Sequence, residues 1–343
     1  MQHKYIGLGA LVVALLLWGL GPVTGIDRYI ETIRHPSSRP ADPWKQLAAW
    51  KTAVQGEGLT EEEWKARIEK EAPAQRIAPI NAKVDRIWKA IPGYNGREVD
   101  KERTLALTRD LPKGSPLPFV YREIKPEVGL EDLGPQPIYK GNPNKPMISL
   151  MINVAWGDEY LVKMLDTLKK ENVHATFFFD GTWLSKNLET ARRIGEQGHE
   201  LSNHAYTHKN MSQLSRAKAV EEITRTEKLL EQLGVHNTLF APPSGDFDAE
   251  TVKVAHEMKL RTVLWTLDTV DWKKPEPSAV VKRITSQLEP GSLILMHPTH
   301  ASSEALSSII QAAKSRGLVL GTVSELLSPD RIPELEPKEA PKK

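Results

Sequence analysis

Residues 147–180 read MISLMINVAWGDEYLVKMLDTLKKENVHATFFFD, and their texture decides the fold. Met147 to Val154 is an almost continuous apolar run, the pattern of a parallel strand covered on both faces. Leu161, Met164, Leu165 and Leu168 then recur at helical spacing, and ATFFFD (175–180) is a second apolar strand. The same alternation continues downstream. HELSN (199–203), TLFAPP (238–243), RTVLWTL (261–267), SLILMH (292–297) and LVLGTV (318–323) read as strands. Helical periodicity occupies the stretches around 183–197, 215–233, 248–258, 278–288 and 303–316. Alternating β and α units predict a parallel sheet with helices outside it. Six or seven such units between Met147 and Leu327 predict an α/β fold, a distorted and incomplete (β/α) barrel. No Gly-x-Gly-x-x-Gly follows the first strand, which argues against a dinucleotide fold.

Outside this domain the composition changes. Lys4 precedes an uncharged run from Tyr5 to Ile26 with the centre GALVVALLLWGL, so residues 1–26 read as a signal peptide or membrane anchor. No Ala-x-Ala cleavage site follows. An extracytoplasmic location follows from that reading, either anchored to a membrane or secreted to the cell envelope. Residues 27–133 read as an accessory region holding a small α+β module, with Thr60 as the cap of a helix over TEEEWKARIEKEA. Residues 134–146 are rich in proline and glycine and read as a linker, and 328–343 as a disordered tail. The net charge of +2 carries no electrostatic footprint for nucleic acid. The absence of cysteine leaves only His, Asp and Glu to hold a metal.

In barrels of this kind chemistry sits at the C-terminal ends of the strands. Five strand ends carry polar or aromatic motifs: Asn153 to Asp158, Asn203 to His208, Ala241 to Gly245, Asp268 to Trp272, and His297-Pro298. His204 and His208, four residues apart on a helical turn, share one face and can bind one divalent ion; the alternative is a hydrogen-bonding pair near a helix start. His297 suits a general acid, since imidazole titrates nearest neutrality, or is a packed histidine under a proline turn. Asp268 and Asp271 suit orienting a histidine, completing a metal shell, or capping the next helix. Trp156, Tyr206 and Trp272 offer aromatic surface for a sugar face or for core packing.

Together these motifs resemble the polysaccharide deacetylase family, of the carbohydrate esterase family 4 type. GHELSNHAYTHKNMSQLS looks like its second motif, APPSGDF its third, DTVDW its fourth and LILMHPT its fifth, while ATFFFDG matches its usual second strand. The resemblance implies hydrolysis of acetyl groups on peptidoglycan or chitin-like sugars by a metal-activated water. It makes His204 and His208 zinc ligands and His297 the acid. The partner it implies is cell-wall polysaccharide. The first motif departs from the pattern. Where the family has Thr-Phe-Asp-Asp-Gly, its base and its metal-binding Asp, this chain has Asn153-Val154-Ala155-Trp156-Gly157. The third motif's Arg is replaced by Ala241. Asn-Val-Ala-Trp-Gly is similar to the sporulation-associated branch of the family. Three functions follow. One is an altered hydrolase in which Asp158, Asp268 or Asp271 replaces the missing carboxylate. Another is a non-hydrolysing glycan binder that uses Trp156, Tyr206, Trp272 and Pro243. The last is an envelope or spore assembly protein.

Overall fold

The computed structural model describes residues 59–336. The predicted signal or anchor segment 1–26, residues 27–58 and the end of the tail from 337 lie outside the described residues. No helix among the described residues is long and apolar enough to cross a membrane.

The accessory region opens with α1 (Glu61–Glu71). Thr60 caps it reciprocally: its hydroxyl accepts from Glu63 N, and the Glu63 carboxylate accepts from Thr60 N. Trp64 and Ile68, on one face of α1, are buried. Two antiparallel pairs follow, β1 (Lys83–Asp85) with β2 (Lys89–Ile91), and β3 (Gly96–Val99) with β4 (Tyr121–Ile124). Between β3 and β4 lies α2 (Lys101–Ala106), capped by Asp100. Residues 60–109 and 116 onward form one compact unit. Leu59 and residues 110–115 are assigned to a second unit.

The large sheet contains β5 (Met147–Val154), β6 (Thr176–Phe179), β7 (Glu200–Asn203), β8 (Leu239–Phe240), β9 (Arg261–Thr262), β10 (Leu267–Asp268), β11 (Leu293–Met296) and β12 (Val319–Gly321). Its order is β10-β11-β5-β6-β7-β8-β9, with β12 beside the first residues of β5, and its strand pairs are parallel. The helices are α3 (Asp158–Glu171), α4 (Gly181–Leu184), α5 (Leu188–Glu196), α6 (Arg216–Gln232), α7 (Ala249–Glu257), α8 (Pro277–Thr285), α9 (His300–Ser315) and α10 (Val323–Leu327). β9 and β10 do not pair, so the sheet curls without closing, the incomplete barrel predicted above.

Strand alternation builds two cores. Ile148, Leu150 and Ile152 face outward with Phe177 and Phe179 onto α3 and α9. Met151 and Phe178 face inward with Leu239, Ala241, Val263 and Leu293. Each fully buried Phe or Leu in these layers contributes about 1.5–3 kcal/mol.

Three expectations need correction. RTVLWTL is two short strands, β9 and β10, with residues 263–266 between them. The segment 134–146 explains why. It is not a free linker: Ile138 N donates to Thr262 O (2.9 Å) and Leu264 N to Ile138 O (2.8 Å), so the segment lies along the open edge after β9. Buried Asn142 donates to Pro92 O (2.9 Å), and buried Lys145 donates to Glu325 O and Ser328 O (2.6 and 2.8 Å). The tail is ordered through residue 336. Ile332 is buried, Asn95 N donates to Pro329 O (2.8 Å), and Glu336 pairs with both Arg97 and Arg331.

Candidate functional site

The mouth of the barrel is built from the ends of β5, β7, β10 and β11. After β5 the chain turns at Gly157, whose φ is +90° and whose missing Cβ would lie 2.0 Å from Pro298 O. Only glycine fits there, and the turn holds the loop after β5 against the loop after β11. Trp156 is thereby stacked on His297, ring centroids 5.7 Å apart and planes 12° from parallel. Asp158 does not face the histidine pair. It opens α3, and its Oδ1 accepts from the indole N–H of buried Trp183 (2.6 Å). A cleft of about 370 Å³ lies here, lined by Ala155, Trp156, Asp158, Thr182 and Trp183 among others. A larger groove of about 440 Å³, lined in part by Arg192, His199 and His236, sits at the start of β7, away from the predicted residues.

After β7, His204 and His208 lie on a loop and not on the helical turn expected from their spacing. Ala205 (φ +59°) and His208 (φ +54°) adopt the left-handed region and break any helix. A carboxylate fixes this loop. Buried Glu222 on α6 accepts from Tyr206 N (3.0 Å), Thr207 N (2.7 Å) and the Thr207 hydroxyl (2.6 Å). Arg225, one helical turn on, places its guanidinium 3.5 Å from the Tyr206 ring centroid. His204 is buried, and its Nδ1 donates to Ala241 O (2.7 Å). Its Nε2, left unprotonated by that bond, faces Asn153 Nδ2 at 3.5 Å. Burial first, and the neighbouring His208 second, push its pKa down to about 3, so the ring is neutral. The exposed His208 ring stands edge-on to it, centroids 5.1 Å apart.

The β10–β11 side is complete. Asp271 has no exposed surface, and three donors converge on its carboxylate. They are His297 Nδ1–H (2.8 Å), His297 backbone N–H (2.7 Å) and the Ser302 hydroxyl. Burial alone would raise the Asp271 pKa, but these bonds and the nearby imidazole hold it below the usual value. His297 is thus fixed with Nδ1 protonated and Nε2 turned to the mouth. Asp268 serves the backbone instead. Its Oδ1 accepts from Val270 N (2.7 Å), a turn that bends the chain out of β10.

Among the described residues no group of three or more His, Asp or Glu side chains could hold a metal ion. Asp158, Asp268 and Asp271 are each engaged elsewhere, so none replaces the missing carboxylate. His204 and His208 are the side chains that would hold such an ion, one short of the three protein ligands a catalytic zinc site uses. Close to them stands Asn153, 3% exposed, whose Oδ1 has no hydrogen-bond partner. Pro243 is buried in the turn after β8, so the exposed aromatic rim consists of Trp156 (46% exposed) and Trp272 (53%), with Tyr206 half-buried. Sequence reasoning missed Asn153, Glu222 and Ser302. A signal existed for one of them: Ala219, Glu222, Ile223, Thr226 and Leu230 form the buried stripe of α6, and a glutamate on such a stripe needs partners.

The family described as polysaccharide deacetylase matches residues 140–263. The YlxY protein of Bacillus subtilis is 45% identical over 262 residues, 76% of this chain and 82% of that protein. A solved structure described as a CE4 family pseudoenzyme from Bacillus anthracis matches with TM-score 0.72 at 44% identity, covering 78% of this chain and 96% of that one. A mutant of that pseudoenzyme, described as having restored enzymatic activity, matches with TM-score 0.72. A peptidoglycan-N-acetylglucosamine deacetylase of Bacillus cereus is 33% identical over 185 residues, 52% of this chain and 67% of that protein.

Proposed function

Since this chain belongs to the polysaccharide deacetylase family, we propose that it binds acetylated cell-wall glycan with little or no hydrolysis. One observation carries the reading: β5 ends in Ala155 and Trp156, and Trp156 covers the face of His297. Ala155 cannot take a proton from water. Loss of a general base costs a factor of about 10²–10⁴, which leaves at most weak turnover. A divalent ion held by His204 and His208 would polarise an acetyl carbonyl, but among the described residues no carboxylate at the mouth is free to activate water. What the mouth offers instead is aromatic surface, Trp156 and Trp272, beside a cleft. An indole face packs on the apolar face of a pyranose.

The substrate class, peptidoglycan over chitin-like sugar, is supported by the wall deacetylases among the relatives. An extracytoplasmic site of action, held by residues 1–26 as an anchor, is supported by the apolar run in the sequence and by those relatives. The sporulation role rests on the Asn-Val-Ala-Trp-Gly motif alone. In the division of labour we infer, residues 60–109 and 116–133 brace the barrel and the mouth binds glycan.

The test is sedimentation of the full chain with purified peptidoglycan, alongside measurement of released acetate. Binding without acetate release, weakened about fivefold or more in Trp156→Ala, supports the reading. Acetate released at rates typical of enzymes, of order 1 s⁻¹ or faster, or binding indifferent to Trp156, would overturn it.

A further inference from the structure

We propose that the β1–β2 hairpin docks on the surface of an anionic lipid membrane, with Val84 and Ile87 dipping into the headgroup layer. Among the described residues eight large apolar side chains are exposed, and four of them, Ile77, Ile80, Val84 and Ile87, fall in one short stretch. Val84 is 53% and Ile87 64% exposed. Exposed aliphatic groups gathered in one place mark a binding surface. The local structure keeps Ile87 in solvent. Asp85 Oδ1 accepts from Ile87 N (2.8 Å) and Trp88 N (2.9 Å), closing a tight turn, and Lys89 takes a φ of +58° to enter β2. The Trp88 ring turns back to the body of the protein, its centroid 5.5 Å from the ammonium of buried Lys140.

Charge selects the partner. Lys83, Arg86 and Lys89 flank the aliphatic groups, and all three are exposed. Among the described residues none of the three forms an ion pair. Asp85 is the one acid between residues 77 and 91, and the turn uses its carboxylate. The neighbouring acids Glu127, Glu131 and Asp132 belong to the segment that begins alongside Ala82, at the end of β1 away from the turn, where Ala82 N donates to Val128 O (2.9 Å). Cations around protruding aliphatic groups fit lipid phosphates over an acyl layer, where apolar burial and attraction to anionic lipid add. The proposal rests on the reading of residues 1–26 as an anchor, which makes the accessory region the described part of the chain nearest the bilayer in sequence. Ala90 N donates to Pro137 O (3.1 Å), so the hairpin is tied to the segment that edges the barrel. Docking would therefore fix which way the mouth faces.

The chain has no cysteine, so Ile87→Cys gives a single site for an environment-sensitive dye. The labelled full chain is mixed with phosphatidylglycerol vesicles and with phosphatidylcholine vesicles, and both flotation and dye emission are read. The dye at 87 should shift to the blue on phosphatidylglycerol alone. The same dye on Val162→Cys, exposed on α3, should not shift. Lys83→Glu with Arg86→Glu, both on the surface, should raise the lipid concentration for half-maximal shift at least tenfold. No shift at 87, an equal shift on phosphatidylcholine or at 162, or a shift that survives the charge reversal overturns the proposal. A shift on purified peptidoglycan in place of lipid assigns the hairpin to the wall and also overturns it. Flotation separates the two readings. A chain that floats with both vesicles while the dye stays unshifted refutes only the hairpin, and a chain that shifts on phosphatidylglycerol without floating on phosphatidylcholine refutes only the anchor.

Discussion

The two sides of the barrel mouth have met opposite fates. On the β10–β11 side, Asp271 is buried and satisfied by three donors, and His297 is held in one tautomer. On the β5–β8 side, the ends of β5 and β8 carry Ala155, Trp156 and Ala241, none of which ionises, and the buried Asn153 Oδ1 is left without a partner. The difference is physical as well as chemical. Asp271 ties the loop after β10 to the loop after β11 and to the first turn of α9, so its removal would unpair three buried donors. A carboxylate at 155 or 156 would tie together no such elements here; Ala155 needs no partner, and Trp156 finds one in the His297 ring. Asp271 therefore holds the fold as well as orienting His297.

The largest test of this contrast is to rebuild the lost side. Ala155→Asp with Trp156→Asp should return a base and a carboxylate ligand to a mouth whose acid is already oriented. Acetate release from acetylated chitooligosaccharide should rise by about 10²–10⁴ over the wild type, the contribution of a positioned base. An unchanged rate in a well-folded double variant would break the comparison, because the β10–β11 side would then not be intact chemically.

The next test is on the side claimed to be structural. Asp271→Asn puts an amide N–H₂ against donors that now face oxygen. Hydrogen bonds to a buried charged group are worth about 1.5–3 kcal/mol each, and the variant should lose about 3 kcal/mol in urea unfolding. A loss under about 1 kcal/mol would remove the explanation for why this side persists.

Much of this was legible in the sequence because the strands are apolar and the motifs fall at strand ends. MISLMINV and ATFFFD could only be buried strands. His297 at the end of an apolar strand and Asp271 after another were visible as a potential pair. The failures have a common cause, contacts between residues far apart in the chain. Proline and glycine in 134–146 signal a linker locally, but Ile138 pairs with Val263. The spacing of His204 and His208 signals a helix, but Glu222, fifteen residues on from Thr207, holds the loop in a left-handed bend. Asp158 looked available until the Trp183 indole, twenty-five residues away, took its carboxylate.

The smallest test separates Asp271 from the buried histidines by acid. At the start of β7, His199 is buried against His174 and Phe177, and its Nδ1 accepts from Ala175 N (3.3 Å). Burial first, and His174 second, push its pKa from 6.5 down to about 4. Above pH 6.5 the ring is neutral in both the folded and unfolded chain and stability is complete. As pH falls from 6.5 towards 4 the unfolded chain takes up the proton first, so stability drops by about 1.4 kcal/mol per pH unit, about 2 kcal/mol by pH 5. Asp271 behaves differently, since its pKa is lowered from 3.8: its contribution stays whole at pH 5 and is lost only as pH falls through the lowered value. Buried His204, its pKa pushed down to about 3, loses a similar amount, so metal-stripped wild type unfolded in urea should lose about 4 kcal/mol between pH 7 and pH 5, and His199→Asn should remove about half of it. If His199→Asn keeps the full pH dependence while Asp271→Asn loses it, the acid-sensitive group is Asp271, and the side described as robust is the fragile one.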